Sequence, residues 1–147
     1  VLTLRPRAFI PWWNREVYQS FVEWARWFWP GAVHIEDVNQ AVIQAIDLLA
    51  HQSFSSPLVL NVDGAYEYND EDLNAWDSDG PGTTFRKYYG EYHDMVLSYG
   101  LNPAQKPEKL DISETRHWLG YEPHYSLKNL LLELRQFGGM GPPSPTF

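Results

Sequence analysis

The run Pro57-Leu58-Val59-Leu60-Asn61-Val62 constrains the fold of this chain more than any other. A short apolar stretch bounded by turn residues is the pattern of a strand buried on both faces of a parallel sheet. Such a strand needs neighbours, and the chain offers few. Val1 to Leu4 is a second strand candidate, expected to stop at Pro6 because proline brings no N–H to a ladder. Ala32 to Ile35 is a third, very short extended piece. The chain is therefore expected to oligomerise or to pack its Leu58 to Val62 strand against another partner.

The remaining residues read as helices and turns. Val17, Phe21, Trp24 and Phe28 recur at helical spacing between Glu16 and Trp29, and Pro30-Gly31 ends that segment. Trp27 and Trp29 fall off the stripe, so this helix is expected to bury more than one face or to line a pocket. Asp37 is the expected cap of a helix carrying Val38, Ala41, Val42, Ala45, Ile46 and Leu49 on one side. An acidic, turn-rich stretch from Gly64 to Gly82 includes a short helix around Asp70 to Trp76. Thr83 to Tyr99 is expected to be helical. Asp111 with Glu114 has the spacing of a reciprocal cap for a helix over Ser113–Leu119, stopped at Gly120. A last helix from Ser126 to Phe137 points Leu127, Leu130, Leu131 and Leu134 inward. Residues 138–147, dominated by glycine and proline, are expected to form a flexible tail behind a unit spanning 1–137.

Charge and composition remove several functions. Nineteen acidic against eleven basic residues give a formal charge of -8, which repels a phosphate backbone, so no nucleic-acid partner is expected. With no cysteine, disulfides, thiolate nucleophiles and cysteine-held metals are excluded. No apolar run approaches the roughly 20 residues that cross a bilayer, and no signal segment opens the chain. A soluble, cytoplasmic protein without a membrane partner is expected.

Motifs with chemistry are mostly missing. The Gly-x-Gly-x-x-Gly turn that brings backbone close to a pyrophosphate does not occur; Gly80-Pro81-Gly82 lacks the third glycine and the preceding strand. No tyrosine has a lysine four positions later. A calcium loop centred on Gly80 would put Ala75 and Arg86 where carboxylates are needed. Histidines with nearby acids, as at His34, Glu36 and Asp37 or at Glu91, His93 and Asp94, lack the His-Glu-x-x-His spacing, and no metal site is expected. Ser20, Ser53 and Ser126 have no nucleophile-elbow context.

Aromatic residues are the positive signal. Trp12, Trp13, Trp24, Trp27 and Trp29 lie near Arg7, Asn14 and Arg15, close to the end of the first strand. Two readings stay open. The rings pack a core, or the loop aromatics wall a pocket for a small molecule whose polar group Arg7, Asn14 or Arg15 orients.

Three stretches in order resemble the C-terminal portion of extended short-chain dehydrogenases/reductases, the NAD-dependent epimerase/dehydratase family. They are Leu4-Arg5-Pro6-Arg7-Ala8-Phe9, then Val33-His34-Ile35-Glu36-Asp37-Val38 with Leu60-Asn61-Val62, then Leu110-Asp111-Ile112-Ser113 with Leu119-Gly120-Tyr121-Glu122-Pro123. The resemblance implies an α/β fold class: the C-terminal fragment of a Rossmann-type parallel sheet with a mostly helical substrate-binding region. On this reading the chain, which opens at Val1 without an initiator methionine, starts inside the cofactor-binding domain, and residues 1–137 belong to a cofactor-binding and substrate-binding pair. The implied parent is an NAD- or NADP-dependent oxidoreductase or isomerase moving hydride at a carbinol carbon, with no catalysis and no cofactor expected of this chain alone. Pro6, Arg7, Ala8 and Phe9 would meet the cofactor; Trp12, Trp13, Asn14, Arg15 and Trp27 would meet the small-molecule substrate. The alternative is a non-catalytic binding or interaction domain derived from the same fold.

Overall fold

The structure, a computed structural model, describes residues 1–146. Strands β1 (Leu2–Pro6) and β2 (Leu58–Val62) pair in parallel, Leu2 opposite Leu58 and Pro6 opposite Val62. Leu58 N–H donates to Val1 C=O and Arg7 N–H to Val62 C=O, so odd-numbered residues of β1 bond to β2. The backbone groups of Leu2, Leu4 and Pro6 therefore point to the outer edge. Pro6 lacks only an N–H that β2 would not have used, which is why it completes the strand instead of stopping it.

The outer edge of β2 is closed by side chains. Thr115, fully buried, donates its hydroxyl to Asn61 C=O at 2.5 Å, and Tyr121 donates to Asp63 C=O at 2.8 Å. Thr115→Val removes one donor while keeping the shape, and should cost about 1–3 kcal/mol in a urea titration because the carbonyl is left without its partner. A loss well under 1 kcal/mol would mean that water reaches this edge.

Around the strands lie α1 (Phe21–Phe28), α2 (Ile35–His51), α3 (Asp70–Ala75), α4 (Thr83–Tyr89), α5 (His93–Ser98), α6 (Ser113–Leu119) and α7 (Leu127–Phe137). The expected fold class is corrected here. Among the described residues the sheet has two strands and the chain is predominantly helical, so it is not the multi-stranded parallel sheet of a Rossmann-type core. Ala32 to Ile35, expected to be extended, adds no strand: His34 is already the cap of α2.

Local chemistry moves several boundaries. Ser20 caps α1 by accepting from Glu23 N–H, so the helix starts five residues after Glu16, and residues 11–18 turn on Asn14 instead. At α2 the His34 ring accepts from Glu36 N–H at 3.3 Å. Asp37, expected as that cap, is buried one turn in and accepts from His124 and Tyr125 N–H. The expected helix from Thr83 to Tyr99 breaks at Gly90, a poor helix former, where a 3-10 turn lets both Tyr89 and Tyr92 be buried. Asp111 bonds Ser113, while Glu114 accepts from the Trp118 indole N–H at 3.0 Å, so the reciprocal cap does not form. Such caps occur instead at α3, between Asn69 and Asp72, and at α7, between Ser126 and Asn129.

Two apolar clusters hold these elements. Val33, Val38, Ala41, Val62, Ile112 and Tyr121 fill the space between the sheet, α2 and α6. A larger, mainly aromatic cluster joins Trp12, α1, α4 and α7. At the start of the expected tail a 3-10 turn over Gly138–Met140 leads to Gly141, which passes so close to Phe21 that a Cβ there would lie 2.6 Å from the ring. Residue 147, the end of that tail, lies outside the described residues.

Candidate functional site

Arg7 and Asp63 each follow the carboxyl end of a strand, and the parallel register brings them together. Asp63, almost fully buried, accepts from Gly64 N–H at 2.9 Å, Leu110 N–H at 2.8 Å and the Tyr66 hydroxyl at 3.1 Å. The Arg7 guanidinium lies 3.6 Å from it and donates to Glu108 C=O. Burial pushes the Asp63 carboxyl above its usual range, opposed by those donors and by Arg7. Gly31 permits the arrangement: at φ 128° it has no Cβ, and one would stand 2.8 Å from both the guanidinium and Glu108 C=O.

Of the residues expected to meet a cofactor, Arg7 thus ties the two strand ends to the 108–110 loop. Pro6 closes β1, Ala8 C=O accepts from Val33 N–H at 3.1 Å, and Phe9 is exposed. The residues expected to meet a substrate gather around α1. Trp12 is buried, edge-on to Phe21 and Trp13, with the Arg15 guanidinium 5.2 Å above its ring. Asn14 accepts from Glu16 N–H, and Trp27 leans on Tyr18 and Trp24. These rings pack mainly on one another.

A cleft opens elsewhere, among the end of α1, the segment 65–68, Tyr89 of α4 and Gln105 with Pro107 of the following loop. Its walls are chiefly Phe28, Trp29, Tyr66, Tyr68, Tyr89 and Leu127. The space between them totals about 420 Å³ including open solvent, but the cleft as a whole has room for a water-sized group of about 20 Å³, that of a single water. Trp29 stacks on Phe85, Phe85 leans on Tyr89, and Tyr68 meets Tyr89 edge-on, so the rings of this wall are joined through the buried Phe85 behind it.

Glu67 supplies the acidic group. Its two oxygens accept hydroxyls from Tyr89 and from Ser126, the residue that caps α7. Burial first, and the Glu67 carboxylate second, raise the Tyr89 phenol far above its normal range; Tyr68 is raised by burial as well. The position of Glu67 follows from its neighbours. Asp63 fixes Gly64, Ala65 N–H donates to Tyr125 C=O at 3.2 Å, and Tyr66 is tied to Asp63. Sequence reasoning passed over Glu67, Tyr68 and Tyr89. An acid flanked by two tyrosines inside a turn-rich stretch was the available signal.

Two further polar sites are structural. His34 stacks on Tyr125 at 4.3 Å, and burial holds its imidazole below the usual range. Asp72 accepts from Lys87 at 2.6 Å, from Tyr88 and from Asn69 N–H, and these bonds, the lysine's first, lower its carboxyl to about 2. Among the described residues no group of three or more His, Cys, Asp or Glu is placed to hold a metal ion, and no helix is long and apolar enough to cross a membrane.

Comparison with protein-family models, curated proteins and solved structures returns no match. The resemblance to the NAD-dependent epimerase/dehydratase family is therefore withdrawn, and with it the oxidoreductase or isomerase parent and the same-fold binding domain. The two-stranded sheet is the physical reason. A dinucleotide lies across a switch point in a wider parallel sheet, and here β1 and β2 form the whole of it among the described residues, leaving no such crevice for NAD or NADP.

Proposed function

We propose that this chain is a small-molecule-binding domain whose ligand enters the aromatic cleft around Glu67. The observation that carries the reading is convergence: a concave, mainly apolar wall built from five separate segments meets one carboxylate. That combination of broad apolar contact with a few orienting polar groups is how binding pockets are built. The helical scaffold holds these groups by itself and needs no dinucleotide sheet. A chain free of cysteine suits a reducing compartment, and a cytoplasmic location is part of the proposal. NMR titration with small aromatic fragments should shift resonances of Trp29, Tyr66, Tyr68, Tyr89 and Gln105 together. Shifts centred on Trp12, Trp13 and Trp27 would move the site back to the loop before α1, and no saturable shifts would end the reading.

The outer edge of β1 favours a second activity, attachment to another strand. No segment among the described residues hydrogen-bonds to the outward backbone groups of Leu2 and Leu4. Val59 and Val1 are exposed on the uncovered sheet face, and α2 exposes Val42, Ile43, Ile46 and Leu49. Parallel sheets are ordinarily covered on both faces. Light scattering over a concentration series should show association, and Leu4→Lys should weaken it; a monomer throughout would count against this role.

A further inference from the structure

The geometry points to a primary ammonium group as the part of the ligand that Glu67 receives, an inference that rests on the cleft being the binding site. Charge favours it first. Glu67 is half-buried, and among the described residues two hydroxyls meet its oxygens. None of the ion pairs among the described residues includes it, although Asp63, Asp70, Asp72, Glu91, Glu108 and Glu122 each have a lysine or arginine within 4.0 Å. A half-buried carboxylate whose oxygens meet only neutral donors keeps acceptor capacity and an uncompensated charge, which a cationic ligand supplies.

The wall favours a cation as well. Trp29, Tyr66, Tyr68 and Tyr89 present ring surface around the acid, and aromatic faces attract cations through their quadrupoles. Size favours a primary ammonium. The room in the cleft is that of about one water, which matches an ammonium head and is too small for a trimethylated one. An ammonium also has three donors for the remaining acceptor positions of Glu67. The ligand's carbon chain would lie along Phe28 and Leu127.

The test is calorimetric titration of the intact chain with three probes of one shape: 2-phenylethylamine, 2-phenylethanol and trimethyl(2-phenylethyl)ammonium. The amine should bind at least about tenfold more tightly than either of the others. Glu67→Gln keeps an acceptor for Tyr89 or Ser126 and should remove that preference. Gln105→Arg, which puts a positive charge on the cleft lining, should weaken the amine several-fold more than the alcohol. Nα-acetyl-lysine N-methylamide, run beside the amine, tells a lysyl side chain from a free amine as the source of the group. If the alcohol binds as well as the amine, the ammonium inference falls while the cleft stands. If the trimethylated probe binds best, the size argument falls with it. If no probe binds, and fragments shift no cleft resonance, the site itself is overturned.

Discussion

Asp63→Ala should destabilise the chain by about 3–5 kcal/mol, the usual consequence of removing one member of a buried charge pair. The carboxylate simultaneously satisfies Gly64 N–H, Leu110 N–H, the Tyr66 hydroxyl and, at 3.6 Å, Arg7. Alanine leaves the Leu110 N–H unpaired and deprives the Arg7 guanidinium, only 15% exposed, of its nearest buried counter-charge. A urea titration should show a lower midpoint with an unchanged slope. The pH dependence has a definite sign. Burial raises this carboxyl in the folded state, so its contribution is fully present below the unfolded value and declines as pH rises through the higher folded one. The difference between wild type and Asp63→Ala should therefore be larger in acid than at neutral pH. A loss below about 1 kcal/mol would show that water replaces the carboxylate.

Trp24→Ala should cost a comparable amount, about 3–5 kcal/mol, because it empties the centre of the aromatic cluster. Trp24 is 1% exposed and meets Phe21, Trp27, Phe28 and Tyr125 at centroid distances from 4.9 to 6.4 Å. Its indole N–H also donates to Ile10 C=O at 2.8 Å, anchoring the loop that carries Trp12 and Trp13. Trp24→Phe keeps most of the ring contact and loses that bond. Its cost should be nearer 1 kcal/mol, since Ile10 is at the surface and its carbonyl can turn to water. Equal losses in the two variants would mean that the bond, not the packing, dominates.

These two residues also show how far the chain could be read without its structure. Trp24 lies on the Phe21, Trp24, Phe28 stripe, and a period of three to four identifies it as inward whatever it packs against. Asp63 gave no such sign. It sits in sequence as one more acid beside a turn, and its importance comes from Arg7, Tyr66 and Leu110, the last 47 positions away. The error over the fold class has a related origin. Leu58 to Val62 read as a strand buried on both faces of a parallel sheet, and the family resemblance implied the wider sheet around it. Periodicity reports how much of a strand is buried but not what buries it. Here α2, α6 and the hydroxyls of Thr115 and Tyr121 provide much of the cover.

Helix caps divide in the same way. Ser126 with Asn129 is a local, reciprocal cap within one turn, and the start of α7 was legible to within a residue. At α2, Asp37 looked like the cap, but the 122–125 loop takes both its oxygens, and His34 assumes the role.

By itself the sequence determined that Phe21, Trp24 and Phe28 face inward, that Pro30-Gly31 and Gly120 follow helix ends, and that no cysteine takes part, because these depend on residue type and on neighbours a few positions apart. Only the tertiary structure decided that the Trp12 to Trp27 rings pack mainly on one another while the cleft forms around Glu67. Tyr89 lies 22 positions and Ser126 59 positions from that carboxylate, and only the packing of α4 and α7 against the 65–68 segment brings both hydroxyls to it.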